Sequence, residues 1–146
     1  MLRTPITHPE VLHALARAGH GSLVLIADAH FAAATAVNPR AVVVHLALTS
    51  GSPLVPGVAA LVGATIEIEA VTSMAAPDEA LRAVSRETNS VFGEKPHEYV
   101  SRSEFMALTR SPDLALCIVT GDTRRFANAI LRVGVTVERN PESEPA

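Results

Sequence analysis

The chain has 146 residues, which is about one domain at roughly 100–200 residues per domain. Hydrophobic residues make up 48% and charged residues 18%, so disorder is excluded as a class; with aromatics at 3%, Ala, Val and Leu must build the core. The net charge of −3 gives no sign of a basic surface that would bind a phosphate backbone, and aromatics at 3% offer few rings for base stacking. We therefore expect no nucleic-acid partner.

Residue usage also bears on the compartment. The single cysteine, Cys117, excludes an internal disulfide and a Cys-only zinc site. It lies in the apolar run 114–119, which favours a buried, inert thiol. No apolar run approaches the ~20 residues of a membrane span, and the first residues lack the apolar run of a signal peptide. We therefore expect a cytoplasmic protein with no membrane partner.

The elements of the first half follow from apolar periodicity and turn residues. A capping box at Thr7 and Glu10 predicts a helix that Gly19 ends in a left-handed cap. Strands are predicted at residues 22–27, 41–44 and 65–71, a turn at 50–53 and a short helix at 55–62.

In the second half, Asp78 in an acidic first turn opens a helix that Gly93 ends. A capping box at Ser101 and Glu104 opens another, with Phe105 facing inward. Strands are predicted at residues 99–100 and 114–119, a turn at 120–122 and a short helix at 123–133. The alternation predicts an α/β fold: one domain over residues 1–138, with a mostly parallel sheet and helices on both faces (three layers), then a flexible tail at 139–146.

Polar residues follow the predicted strands, at the edge where open α/β sheets bind ligands. Asp28 and His30 follow the first strand, Arg102 follows the strand at 99–100, and Asn128 comes after the strand at 114–119. Carboxylate, imidazole, guanidinium and amide groups all hydrogen-bond hydroxyl groups. This set can therefore bind a polyol.

Several of these residues also have purely structural interpretations. His20, beside Gly19, could help to cap the first helix, and His30 could be a surface loop residue. A metal site built from His20, Asp28 and His30 would lack a firm further ligand. No dinucleotide-binding loop, Walker lysine or nucleophile elbow is present. Four charged residues are typical of solvated faces: Glu67, Glu69, Arg124 and Arg125.

A series of short motifs recurs in a characteristic order. The motifs are Gly-His-Gly at residues 19–21, Asp-Ala-His-Phe at 28–31, the segment 46–53, Thr-Gly-Asp at 120–122, Phe-Ala-Asn at 126–128 and Gly-Val-Thr at 134–136. In this order they resemble the small sugar mutarotase family that includes D-ribose pyranase and L-fucose mutarotase. The segment 46–53 looks like the ribose branch, whereas residues 28–31 and Arg102 look like the fucose branch.

The resemblance implies interconversion of the anomers or ring forms of a free monosaccharide, with no metal or organic cofactor. It implies a general acid/base role for His20, which suits an imidazole because its ordinary pKa is about 6.5. It implies sugar contacts for five residues: Asp28, His30, Arg102, Phe126 and Asn128. We favour an L-fucose-like substrate over a D-ribose-like one, because the fucose-like residues would touch the ligand.

One position departs from the family pattern. The family has a tyrosine where this chain has Phe126. The missing phenol removes a hydrogen bond worth about 0.5–1.5 kcal/mol net. The alternative function is therefore a non-catalytic monosaccharide-binding or regulatory module that has lost turnover. Tyr99 is the single tyrosine of the sequence, so it is the residue that could supply a phenol to the site in place of the missing one.

His20 and Asp28 flank the same predicted strand. Five or six extended residues span roughly 17–20 Å at ~3.3 Å each, which is too far for both side chains to hold one sugar. Either the loop of His20 folds back, or the site combines residues of adjacent subunits. The resemblance implies a ring-shaped assembly with sites near subunit interfaces, and we expect a homo-oligomer.

Overall fold

The computed structural model describes residues 1–138, which form an α/β domain with four helices and six strands. The helices are α1 (Pro9–Arg17), α2 (Val55–Thr65), α3 (Glu79–Val91) and α4 (Arg102–Arg110). The strands are β1 (Leu23–Ala27), β2 (Val42–His45), β3 (Ile68–Met74), β4 (His97–Val100), β5 (Leu114–Val119) and β6 (Ala129–Val133). The tail predicted at residues 139–146 lies outside the described residues.

The six strands form one sheet in the order β2-β5-β1-β6-β3-β4. All pairs are parallel except those of β6, which is antiparallel to both β1 and β3. The mostly parallel sheet predicted from the alternation of elements is confirmed. Strands β1, β3, β4 and β5 end at one edge of the sheet, and β6 begins there. We call this the carboxyl edge, and the opposite one the amino edge.

Helices cover both faces of the sheet, as predicted. Helices α1 and α2 pack on one face, against Val24, Ile26 and Ile118, and α3 lies against α2. Helix α4 packs on the other face, against β3 and β5, and Phe105 is fully buried there. Successive residues of β1 point to opposite faces, and helices cover both faces. All five residues of β1 are therefore buried. Among residues 1–138, no helix is long and apolar enough to cross a membrane.

The predicted helix at residues 123–133 is wrong. Residues 129–133 form β6, which is buried between β1 and β3 at every position except Arg132. A short apolar run fits a buried helix or a buried strand equally well, and here pairing on both sides decides for the strand. Phe126, in the preceding loop, has φ +63°, which a right-handed helix does not accept.

Some predicted boundaries also differ from the structure. The N-cap of α1 is His8, whose Nδ1 accepts from the Val11 backbone N–H at 3.3 Å, rather than Thr7. The left-handed glycine after α1 is Gly21, with φ +85°, rather than Gly19. Helix α2 continues to residue 65, so the next strand begins later than its alternating pattern suggests. The capping box predicted at the start of α4 is confirmed.

Residues 49–53 pack tightly against the end of β5. Gly51 N donates to the Gly121 carbonyl at 2.6 Å, and Gly121 N donates to the Pro53 carbonyl at 3.1 Å. A Cβ atom at Gly121 would overlap the carbonyl oxygens of Thr49 and Ser52. Glycine is therefore required here by the close approach of two backbones.

We expect Gly121→Ala to destabilise the protein by about 1–3 kcal/mol or more, because two carbonyl oxygens must move to admit the methyl group. Chemical denaturation measures the change. The control is Gly57→Ala in α2, where a Cβ meets nothing within 4 Å. That variant should gain about 0.5–1 kcal/mol from its higher helix propensity. Equal effects of the two substitutions would contradict the packing argument.

Candidate functional site

A cavity of about 430 Å³ lies at the carboxyl edge, within the size range of small-molecule sites. Five residues proposed from the sequence line it: Asp28, His30, Arg102, Phe126 and Asn128. They come from the loops after β1 and before β6, and from the first residue of α4. Phe31, Met74 and Met106 add an apolar wall.

The floor of the cavity is a paired carboxylate and amide. Asp28 is 4% exposed, and its Oδ2 accepts from Asn128 Nδ2 at 2.9 Å. The backbone N–H of Asp28 donates to Asn128 Oδ1 at 2.7 Å, so the two residues are joined twice. The end of β1 meets the start of β6 because these strands are antiparallel neighbours. The sheet pairing therefore sets the position of the Asp28 carboxylate.

The environment of Asp28 changes its acidity. Burial raises the pKa of its carboxyl group above the ordinary value, and the nearby Asp122 adds to this effect. Hydrogen bonds from the His30 backbone and the Asn128 amide, together with the His30 charge, oppose the rise. Because burial outweighs these hydrogen bonds, the pKa of the Asp28 carboxyl group lies above that of an exposed aspartate.

His30 lies at the exposed mouth of the same cavity. Its Nε2 is 3.0 Å from the Thr123 carbonyl, which can only accept, so Nε2 carries the hydrogen. Its backbone N–H donates to Asp28 Oδ1 at 2.9 Å. His30 therefore links the loop after β1 to the loop before β6, a more defined position than that of a free surface residue.

A buried ion pair fixes the loop before β6. Asp122 is fully buried, and its carboxylate accepts from Arg124 Nε at 3.0 Å and Nη2 at 2.9 Å, and from the Val55 backbone N–H at 3.0 Å. Arg124 Nη1 also donates to Glu87 Oε2 at 2.7 Å on α3. The prediction of a solvated face for Arg124 is therefore wrong. An Asp-x-Arg spacing directly after a buried strand is the signal that could have identified this pair.

The pKa of Asp122 follows from that pair. Burial alone would raise the pKa of this carboxyl group, but the hydrogen bonds from Arg124 and from the Val55 N–H outweigh burial and lower it below its ordinary value. Asp122 therefore stays ionised and keeps Arg124 in place. The Asp122 backbone carbonyl also accepts from Ala29 N at 2.7 Å, which ties this loop to the residue after Asp28.

Of the two aromatic residues considered for the site, Phe126 lies at the cavity and Tyr99 does not. Phe126 lines the cavity, and the Arg125 guanidinium lies 5.8 Å from its ring centroid. Arg125 lines the cavity too, which the sequence pattern did not indicate. Tyr99 is directed elsewhere: its hydroxyl accepts from Asn89 Nδ2 at 2.8 Å on α3. Within the described chain, Tyr99 does not supply the phenol that Phe126 lacks.

His20 lies at the amino edge, away from the other predicted site residues. Its Nε2 is 3.0 Å from Glu69 Oε2, beside a second cavity of about 470 Å³. The loop of His20 therefore does not fold back to Asp28 within one chain. In residues 1–138 no three His, Cys, Asp or Glu side chains are grouped closely enough to hold one metal ion, so the proposed metal site from His20, Asp28 and His30 is not formed.

The fold and the sequence together assign the protein to a family of sugar mutarotases and pyranases. Residues 1–136 match the RbsD / FucU transport protein family, and the chain belongs to that family. A D-ribose pyranase from Paracidovorax citrulli is 31% identical over 138 residues, covering 93% of this chain and 99% of that protein. A D-ribose pyranase from Bacillus subtilis is 29% identical, covering 92% of this chain and 98% of that protein.

Solved structures show the same fold. Bacillus subtilis RbsD complexed with D-ribose has a TM-score of 0.83 at 28% identity and covers 94% of this chain and 100% of that one. The fucose mutarotase of Streptococcus pneumoniae, in complex with L-fucose, has a TM-score of 0.73 at 19% identity with the same coverage. The second similarity is one of fold alone.

We expect Arg124→Met to destabilise the protein by about 1–3 kcal/mol at neutral pH, because the buried Asp122 carboxylate loses its charged donors. The Arg124 side chain is 30% exposed, so water offsets part of the loss. A folded-state pKa below the unfolded one stabilises the fold above the unfolded pKa, and this contribution disappears as the pH falls through the folded pKa. The deficit should therefore shrink below about pH 4.

Denaturation midpoints between pH 3 and pH 7 measure this effect. The control is Arg86→Met, which removes an exposed ion pair with Glu79 on α3. Exposed pairs contribute little, so the midpoint of that variant should barely change at any pH. A deficit in Arg124→Met that is independent of pH would contradict the role given to Asp122.

Proposed function

We propose that the protein interconverts the anomers or ring forms of a monosaccharide by opening and reclosing its ring. The observation that carries this proposal is the buried Asp28 carboxyl, held by Asn128 at the floor of a cavity whose other polar groups can bind hydroxyls. In ring opening, a base removes the proton of the anomeric hydroxyl, the bond from the anomeric carbon to the ring oxygen breaks, and an acid protonates that oxygen. Rotation and the reverse steps give the other anomer or ring size.

The relatives favour a D-ribose-like substrate over the L-fucose-like one that residues 28–31 suggest. The curated proteins at 29–31% identity are D-ribose pyranases, whereas the fucose mutarotase shares only 19% identity. An L-fucose-like sugar remains the second candidate, because Asp28, His30 and Arg102 all line the cavity.

We place His20 in the reaction as general acid/base through a shared site. In one chain, β1 separates His20 from Asp28, and its five residues span about 17 Å at about 3.3 Å per residue. The His20 side chain is 58% exposed and can reach a second copy of the chain. Exposed apolar residues at 48, 54 and 61 supply surface for such contacts. Each site would then combine the Asp28 cavity of one subunit with His20 of its neighbour in a homo-oligomer.

Exchange NMR on D-ribose and L-fucose at equilibrium tests both the activity and the shared site. His20→Gln and Asp28→Asn should each slow the catalysed exchange by about 10²- to 10⁴-fold. Coexpression of the two variants should restore activity, because about one site in four in a random assembly receives both native residues. No restoration would contradict the shared site. Unchanged exchange rates with the native protein would overturn the enzymatic proposal.

The second candidate function is a monosaccharide-binding module without turnover. Phe126 favours it, because its ring cannot donate a hydrogen bond and Tyr99 is engaged by Asn89. We expect Phe126→Tyr to raise the exchange rate, since the ring keeps its place and gains a hydroxyl. Tyr99→Phe is the matched control and should leave the rate unchanged. Binding of sugar by calorimetry, with no exchange in either the native protein or Phe126→Tyr, would establish the module instead.

A further inference from the structure

His20 shares a hydrogen bond with Glu69 on β3. The Nε2 atom of His20 lies 3.0 Å from Glu69 Oε2. An ionised carboxylate can only accept, so Nε2 carries the hydrogen of the neutral imidazole and the lone pair lies on Nδ1. The structure therefore distinguishes the two ring nitrogens of His20: Glu69 holds one of them and leaves the other for a ligand.

A β-bulge in β3 sets the position of this carboxylate. Against β6, Ile68 lies opposite Val133 and Ala70 lies opposite Arg132, so Glu69 is the extra residue between two regular pairs. A bulge turns the side chain of its extra residue away from the regular alternation of the strand. The bulge therefore directs the carboxylate towards the loop that follows α1.

The end of β6 joins that loop to the bulge. Gly21 N donates to the last carbonyl of β6 at 2.9 Å, and Gly134 N donates to the Glu67 carbonyl at 2.9 Å. A Cβ atom at Gly134 would lie only 3.1 Å from Glu69 Cβ, so the absence of a side chain makes room for the glutamate. Three segments of the chain thus hold His20 and Glu69 together at the amino edge.

We infer that Glu69 is a positioning residue for His20: it holds the Nε2 hydrogen, so that Nδ1 is the nitrogen that exchanges a proton with the sugar. This inference rests on the acid/base role proposed for His20 and adds the atom through which it acts. Nδ1 accepts the proton of the anomeric hydroxyl and delivers it to the ring oxygen as the bond between that oxygen and the anomeric carbon breaks. Both oxygens are bound to the same carbon, so one nitrogen serves both, and the reverse steps close the ring.

The chemistry of a carboxylate beside an imidazole supports this role. Such a carboxylate fixes the orientation of the ring and stabilises the imidazolium that forms when the other nitrogen accepts a proton. The side chains of His20 and Glu69 are 58% and 37% exposed in one chain. In the shared site the neighbouring copy excludes water from them, which strengthens the attraction between their charges.

Exchange NMR on D-ribose and L-fucose, with calorimetry for sugar affinity, tests the inference. Glu69→Ala should slow the catalysed exchange about 10- to 100-fold, the effect of losing a hydrogen bond to a charged group, and leave sugar affinity unchanged. Glu69→Gln keeps an acceptor oxygen without the charge and should recover part of the rate. The matched control is Glu67→Ala, since Glu67 accepts from Lys95 Nζ at 2.7 Å and not from His20. That variant should exchange at the native rate.

Combined variants show whether Glu69 acts through His20. In the His20→Gln background, Glu69→Ala should cause no further loss. A further loss would overturn the inference, because Glu69 would then act through other groups of the site. Coexpression of Glu69→Ala with Asp28→Asn should exceed the rate of either variant, whereas coexpression with His20→Gln should not, because one subunit must supply both residues of the pair.

Nitrogen NMR of the imidazole locates the hydrogen independently of activity. At a pH where the ring is neutral, native His20 should carry its hydrogen on Nε2, and Glu69→Ala should show both forms of the ring. A neutral native ring with its hydrogen on Nδ1 would overturn the inference. A native exchange rate in Glu69→Ala beside a slow His20→Gln would overturn the inference and leave the proposed function intact. A native protein that does not speed exchange would overturn both.

Discussion

The insertion of β6 between β1 and β3 is the constraint on which the rest of the site depends. An all-parallel sheet would place the start of every strand at the amino edge. Because β6 runs the other way, its first residues meet the ends of β1 and β3. Asn128 thereby lies beside Asp28, and the loop that carries Phe126 closes over the same edge. One reversed strand assembles the floor and one wall of the cavity.

The loop before β6 is held by charge rather than by apolar packing. Asp122 is buried without becoming neutral because Arg124 and the first turn of α2 supply its donors. Arg124 continues to Glu87, so α2, α3 and the loop are tied at one point. The apolar sheet thus carries, at its carboxyl edge, a small region in which buried charge sets the position of the backbone.

Most of the fold could be predicted from local pattern. The apolar runs that form β1 and β5 are too short for helices of typical length and are rich in branched residues, and the capping box at Ser101 and Glu104 marked the start of α4. Strand β6 could not be predicted, because its run of five residues suits either state until its neighbours are known. The boundary of α2 moved for a similar reason, since residues 63–65 complete a helical turn although their sequence leads into an alternating segment.

The candidate site could be predicted in part. The rule that ligands bind at the carboxyl edge brought Asp28, His30, Arg102 and Asn128 together, and all four line one cavity. Arg125 was missed because an exposed arginine in a loop has no periodicity that separates a cavity wall from open surface. The role that we propose for His20 depends on contacts between copies of the chain, which a single sequence does not encode as a local pattern.

Cys117 gives the molecule an internal reporter. It is the single cysteine, it lies in β5 between β1 and β2, and it is fully buried. Burial raises the pKa of its thiol to about 12, so the folded protein holds almost no thiolate at neutral pH. Alkylation at this position requires the packing around β5 to open. The labelling rate of the unmodified protein therefore reports how often this part of the sheet opens, with the native cysteine as the only label site.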